Sequence, residues 1–484
     1  MNLVDLYHKD FGRFNMSSTS STSRLSPAVR LKLKSSRSVV GVRQIYFLFL
    51  LLWPVFWSAA EIPFGRSLHF DVPRELRLVE PLVIGSMFLL VLFAGSSRYR
   101  SRFEQQIIVL PILFSVAGLA GAVFSGLAFP GWLNLGYGLY VMLMPWLVLL
   151  TIIQLRYPLS YLYAMGIFLF VLCSINWVIG LWQVTVFGIR NADFVHGLFQ
   201  DANILATVFY FLISYYMFYY TITNKLSFLF GGLILFPIAY FGFNEKLNIF
   251  FLVVIVPVLL WQVRARLKRW VWMALILTVI GSLIIYAQAQ GLRSRISNII
   301  AVSNSRGSFF ELGFFQSYRT AWYTVTESPE RILIGLGPSN YGGSVASSRY
   351  AAGSATPISN MLFRRLAIVN SGVETGTGNY DSPINYFANT LGEFGVLGLF
   401  VLMTLLYLVL RSLWSVYRTS HQKNVMAWAF SAFWGWVGIA YQAAFMPFGV
   451  FENPMSIIPI TLVTGILLAN REIEELKRGP HVES

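Results

Sequence analysis

Val271-Trp272-Met273-Ala274-Leu275-Ile276-Leu277-Thr278-Val279-Ile280-Gly281-Ser282-Leu283-Ile284-Ile285-Tyr286-Ala287-Gln288-Ala289 runs straight into Gln290-Gly291-Leu292-Arg293-Ser294-Arg295. The first part is uncharged and close to the ~20 residues that an α-helix needs to cross a bilayer. The second part opens about ninety residues of mostly polar chain, which end where the apolar run Ile384–Leu410 begins. This insert holds eight arginines and no lysine. Guanidinium stays protonated and offers a flat fork of donors matched to two phosphate oxygens, where an ammonium is a mobile point charge. The pattern points to phosphate chemistry in the insert; the bland alternative is an external loop indifferent to which cation it carries.

Outward from this junction the chain reads as membrane. Of 484 residues, 56 % are hydrophobic and 12 % charged, roughly half the charge of an average soluble chain. Twelve apolar stretches are expected to span: 45–60, 79–95, 106–128, 135–154, 161–186, 203–222, 226–241, 248–263, 271–289, 384–410, 425–445 and 456–469. With the N-terminus inside, alternating sides put 23 of the 36 Lys and Arg in the cytoplasm, 5 in short outer loops and the remaining 8 in the insert. Short loops obey the positive-inside bias and long translocated loops escape it, so the insert is expected outside. The net charge of +15 then reads as orientation and attraction to anionic headgroups, and argues against nucleic acid as a partner.

The expected organisation follows. Residues 1–44 form a basic, Ser/Thr-rich cytoplasmic tail, and 45–289 hold nine transmembrane helices. Residues 290–383 form the extracytoplasmic loop, 384–470 hold the last three helices, and 471–484 form a cytoplasmic tail. The class is all-α and polytopic. One cysteine, Cys173, excludes an internal disulfide, and five scattered histidines give no metal-ligand spacing. No GxxxxGK[ST] loop is present, so neither a metal nor a nucleotide cofactor is expected and the bond energy is expected to arrive with the substrate.

Three segments carry candidate chemistry. The first runs from Gly188 through Arg190, His196, Gly197, Phe199 and Asp201 to Asn203. The second holds Arg319 and Trp322, one helical turn apart, followed by Gly335-Leu336-Gly337-Pro338. The third is Asp381-Ser382-Pro383-Ile384-Asn385 running on to Glu393-Phe394-Gly395-Val396-Leu397-Gly398. In this order and topology they resemble the O-antigen ligase and O-antigen polymerase superfamily of bacterial inner-membrane glycosyltransferases. The resemblance rests on Gly197/Phe199/Asn203, Arg319/Trp322 with Gly335/Gly337/Pro338, and Asn385/Glu393/Gly395/Gly398. It covers residues 180–400 by motif and the rest by span pattern alone.

The resemblance implies a GT-C-like membrane enzyme in the bacterial inner membrane, both termini cytoplasmic, that moves a glycan from undecaprenyl pyrophosphate to a sugar hydroxyl without a metal. Its partners would be the lipid-linked oligosaccharide, membrane lipids, a chain-length regulator and a flippase. Arg319 matches the family's loop arginine, and Arg190 takes the place of an earlier one at a longer distance from Gly197. A ligase typically has His just before the Asn of the third segment; Ile384 stands there, which favours a polymerase of repeat units over a ligase. Asp381 is the candidate base toward the acceptor hydroxyl, with Glu393 as its alternative.

Each candidate has a plainer role. Arg319 could pair with Glu311 or Glu327. Arg293 and Arg295 could hold the preceding helix to headgroups. Arg364 and Arg365, beside Met361-Leu362-Phe363, either gather anionic carrier lipid on an amphipathic piece or form a solvated face. Arg349, in a Gly/Ser/Ala-rich stretch, is a candidate to close over substrate. His196 is either a packing residue at a helix entry or a proton shuttle. Asn203 is expected to cap a helix, Gly335 and Gly337 to form a turn, and Asn385 to touch substrate. A transporter or flippase is the rival from another class, but such proteins more often show paired repeats and midplane charges.

Overall fold

The computed structural model describes residues 41–56, 78–94, 102–124, 132–187, 197–199, 202–241, 313–338, 340–341, 385–445 and 453–478. The chain divides into two compact units, Met1–Leu50 and Leu51–Ser484. The first is described only over residues 41–50, which begin helix α1 (Gly41–Phe56). That start falls inside the expected tail of residues 1–44, because a helix continues through the interfacial layer beyond its apolar core.

In its described residues the second unit is all-helical. It holds α2 (Val79–Ala94), α3 (Arg102–Phe124), α4 (Trp132–Leu155), α5 (Ser160–Phe187), α6 (Ala202–Thr223) and α7 (Leu226–Phe241). The described part of the insert supplies α8 (Gly313–Val325) and α9 (Pro329–Ile334), and α10 (Tyr386–Thr419), α11 (Lys423–Phe445) and α12 (Pro454–Arg478) follow. Among the described residues six helices, α3, α4, α5, α6, α10 and α12, contain stretches long and apolar enough to cross a membrane. Twelve spans were expected; two of them, 248–263 and 271–289, lie outside the described residues.

Polarity is inverted relative to a soluble bundle, as a membrane-embedded protein requires. Large apolar side chains such as Phe93, Val178 and Phe400 are exposed, while polar ones bond inside, where hydrocarbon offers no partner. The centre is α6 against α11. Tyr215 stacks on Trp428 and Phe218 on Phe430, each with ring centroids 4.0 Å apart. Ser431 donates to the Phe211 carbonyl at 2.6 Å, and Gln442 Nε2 donates to Thr207 at 3.0 Å. Trp436 stacks on Trp146 of α4 and donates to Thr464 of α12 at 2.9 Å, tying three helices together. Two carboxylates are buried at helix starts. Glu80 accepts from Tyr140 at 2.8 Å and Glu104 from Gln154 at 2.9 Å.

α10 is 34 residues long and broken at Gly395. There φ is 66° and ψ is −166°, a region essentially reserved for glycine. The break makes two helices of one. The shorter part, ahead of Gly395, is buried throughout; the longer part exposes Phe400, Met403 and Tyr407 along one side.

Candidate functional site

Breaking a helix frees carbonyls in the preceding turn, and buried carbonyls need donors. Here the donors come from the insert. Leu336 N–H donates to the Gly392 carbonyl at 3.0 Å and Gly337 N–H to the Glu393 carbonyl at 2.8 Å. Gly335 closes α9, its N–H donating to the Arg331 carbonyl at 2.8 Å, with φ 67° and ψ −157°. The approach leaves no room for side chains. A Cβ on Gly335 would stand 2.5 Å from the Glu393 carbonyl carbon, and one on Gly337 2.5 Å from Ala122 Cβ of α3. Gly121 of α3 lies equally close to the Ile334 carbonyl. Three backbones therefore meet: the turn after α9, the break in α10 and the far end of α3.

α8 packs on this junction. Ala321, Val325, Leu336 and Tyr341 form one buried cluster with Ala388 and Leu391 of α10. Tyr341 lies against Gly392 and bonds Thr324. Burial pushes its phenol well above the ordinary tyrosine range, which the Thr324 bond only partly offsets. Tyr318 is raised by burial too and donates to the Ala444 carbonyl of α11 at 3.1 Å. Neither phenol is suited to give up its proton near neutral pH.

On α10, Asn385, Asn389 and Glu393 follow one another at intervals of four, one stripe of the helix, and all are buried. Asn385 is the N-cap; its Oδ1 accepts from Ala388 N–H at 2.8 Å. Asn385, expected to touch substrate, is thus seen starting the helix. Glu393 lies two turns in and is 2 % exposed. Arg319 is at the surface of α8, its guanidinium 5.4 Å from the Tyr323 ring centroid. Glu327 pairs with Arg331 instead, so Arg319 has no ion pair among the described residues. The structure brings the helix of Arg319 onto the Glu393 segment without pairing the two side chains.

The remaining candidates, Arg190, His196, Arg293, Arg295, Arg349, Arg364, Arg365 and Asp381, lie outside the described residues. Asn203 falls within the first turn of α6, which starts at Ala202, two residues past the cap position expected for it.

Two residues of the Gly197 segment's support escaped the sequence reading. Gln183 of α5 clasps the Gly197 peptide, accepting from its N–H at 2.8 Å and donating to its carbonyl at 3.2 Å. Asn176 accepts from Leu198 N–H at 2.7 Å. Polar residues seven apart in an apolar helix share a face, and that spacing was the available signal. Gly197 itself has φ 63°, and a Cβ there would collide with Asn176. Compared with known proteins, the chain matches no family model and no curated protein.

Proposed function

We propose that this protein polymerises lipid-linked oligosaccharide repeat units on the extracytoplasmic side of the membrane. The growing glycan on undecaprenyl pyrophosphate is the donor, and a hydroxyl of the incoming lipid-linked unit attacks its anomeric carbon. The C–O bond to the carrier breaks and the pyrophosphate leaves with the electron pair. Arg319 stabilises the charge that the leaving group gains in the transition state. Asp381 or Glu393 takes the hydroxyl proton.

One observation carries the reading. The two insert-side motifs, Gly335–Pro338 and Glu393–Gly398, are a single interlocked unit, and on it sits a helix that presents an arginine with no carboxylate partner among the described residues. A chain needing only a hydrophilic loop has no use for that precision. Motif order and the lysine-free insert support the same conclusion.

Arg319→Ala is expected to abolish long polymer while the protein still inserts, and Arg319→Lys to restore it only weakly, since the fork is lost. Normal chain lengths in Arg319→Ala would sink the assignment. A deletion strain separates the neighbouring activities by size-resolving surface glycan and carrier-linked oligosaccharide. Single units outside support polymerisation, full-length polymer held on the carrier means ligation, and single units trapped inside mean transport.

A further inference from the structure

The exposed faces of α8 and α9 make a pattern that the proposed chemistry does not explain. α8 buries Ser317, Ala321, Thr324 and Val325 and turns Arg319, Trp322 and Tyr323 outward. Trp322 is 49 % and Tyr323 59 % exposed, and Leu333 at the end of α9 is 61 % exposed. In water, such a cluster of apolar surface is a liability.

Depth along the helices says what surrounds it. Gly121, which touches the Ile334 carbonyl, comes nineteen residues after Arg102 in α3, about 28 Å at 1.5 Å per residue. Gly395, which touches Leu333, comes sixteen residues before Arg411 in α10, about 24 Å on the same measure. Both helices put Leu333 just inside the far edge of a hydrocarbon layer ~30 Å thick. Its exposed neighbours agree, since Val123, Phe124, Val396, Leu397 and Phe400 are all apolar. The cluster that seats α8 includes Leu391, in the segment of α10 before the break at Gly395 and so past the straight, lipid-exposed part of that helix. At the opposite end Arg418 lies 5.1 Å from the Trp414 ring centroid, as Arg319 does at 5.4 Å from Tyr323. Aromatic rings with a neighbouring cation are what a membrane interface selects.

We infer that α8 and α9 form a shelf seated in one leaflet: Leu333 in the outermost hydrocarbon, Trp322 and Tyr323 among the headgroups, and Arg319 at the level of the phospholipid phosphates. The occupant of this face is the bilayer itself, because exposed apolar and aromatic surface at the hydrocarbon edge, beside a guanidinium, complements a phospholipid monolayer. The insert is therefore in part a membrane-surface element. The inference stands independently of the catalytic reading.

Site-directed spin labelling of the full chain in phosphatidylethanolamine/phosphatidylglycerol liposomes tests it. Cys173 is buried, and the chain without an added cysteine gives the labelling background. Nitroxides at Glu327→Cys, Tyr323→Cys and Leu333→Cys are compared for collision with oxygen, which concentrates in lipid, and with a water-borne nickel chelate. The ratio of oxygen to nickel accessibility is expected to rise from 327 to 323 to 333. Nickel access at 323 and 333 equal to that at 327 would overturn the shelf in favour of a water-facing loop. Protection of both from either reagent would overturn it in favour of a protein partner. Should the 333 label disturb the interlock, the 323 and 327 labels carry the same comparison.

Discussion

At Gly395 the backbone takes φ 66° and ψ −166°, and a Cβ built there would stand 2.5 Å from the Leu333 carbonyl carbon. Both the dihedrals and the clash are with backbone, which cannot step aside as a side chain can. Gly395→Ala is expected to destabilise by about 1–3 kcal/mol or more, and Gly335→Ala similarly. Gly85 supplies the control, with nothing within 4 Å of its added Cβ; Gly85→Ala is expected to change stability by under about 1 kcal/mol, in the stabilising direction. Thermal unfolding of the purified variants in detergent checks all three. Equal effects at Gly395 and Gly85 would mean that the close approach of α9 to α10 is not maintained.

At the scale of elements, the break gives α10 two jobs. The half after Gly395 is a lipid-exposed helix with an apolar flank. The half before it is enclosed, carries Asn385, Asn389 and Glu393, and gives up two carbonyls to the turn after α9. Phe394 holds the shorter half against α3, stacked on Phe114 with centroids 4.0 Å apart and fully buried. Phe394→Ala is expected to cost about 3–5 kcal/mol and to loosen α8 and α9 first. Protease sensitivity at the α8–α9 turn, around Glu327, should therefore rise before global unfolding. Cleavage there only on global unfolding would show that α8 and α9 are held independently of the break.

For the whole molecule, the outward apolar surface and the inward polar bonds mark a membrane protein whatever its orientation. If α10 crosses once, Glu327 and His421, both exposed, lie on opposite sides. In intact cells an impermeant maleimide is expected to label Glu327→Cys and to spare His421→Cys until the cells are opened. Labelling of both from one side would remove the single crossing, and with it the extracytoplasmic insert.

Particular residues show how far the sequence could be read. The apolar runs that became α3, α4, α5, α6, α10 and α12 were legible, because a bilayer imposes length and composition one segment at a time. The turn at Gly335–Pro338 was legible as a turn, and Arg319 as an exposed candidate, since glycine and arginine carry local signals. That Leu336 and Gly337 donate to the carbonyls of Gly392 and Glu393 was not, for backbone partners fifty-six residues apart leave no local pattern. Nor did the sequence reveal that Gln183 and Asn176 hold the Gly197 segment. Sequence by itself determined a helical membrane protein with a guanidinium-bearing insert, because the solvent acts on each segment separately. Only the tertiary structure decided which glycines are contact points, which Asn is a cap and which arginine faces outward with no ion pair among the described residues, because those depend on three backbones closing on one another.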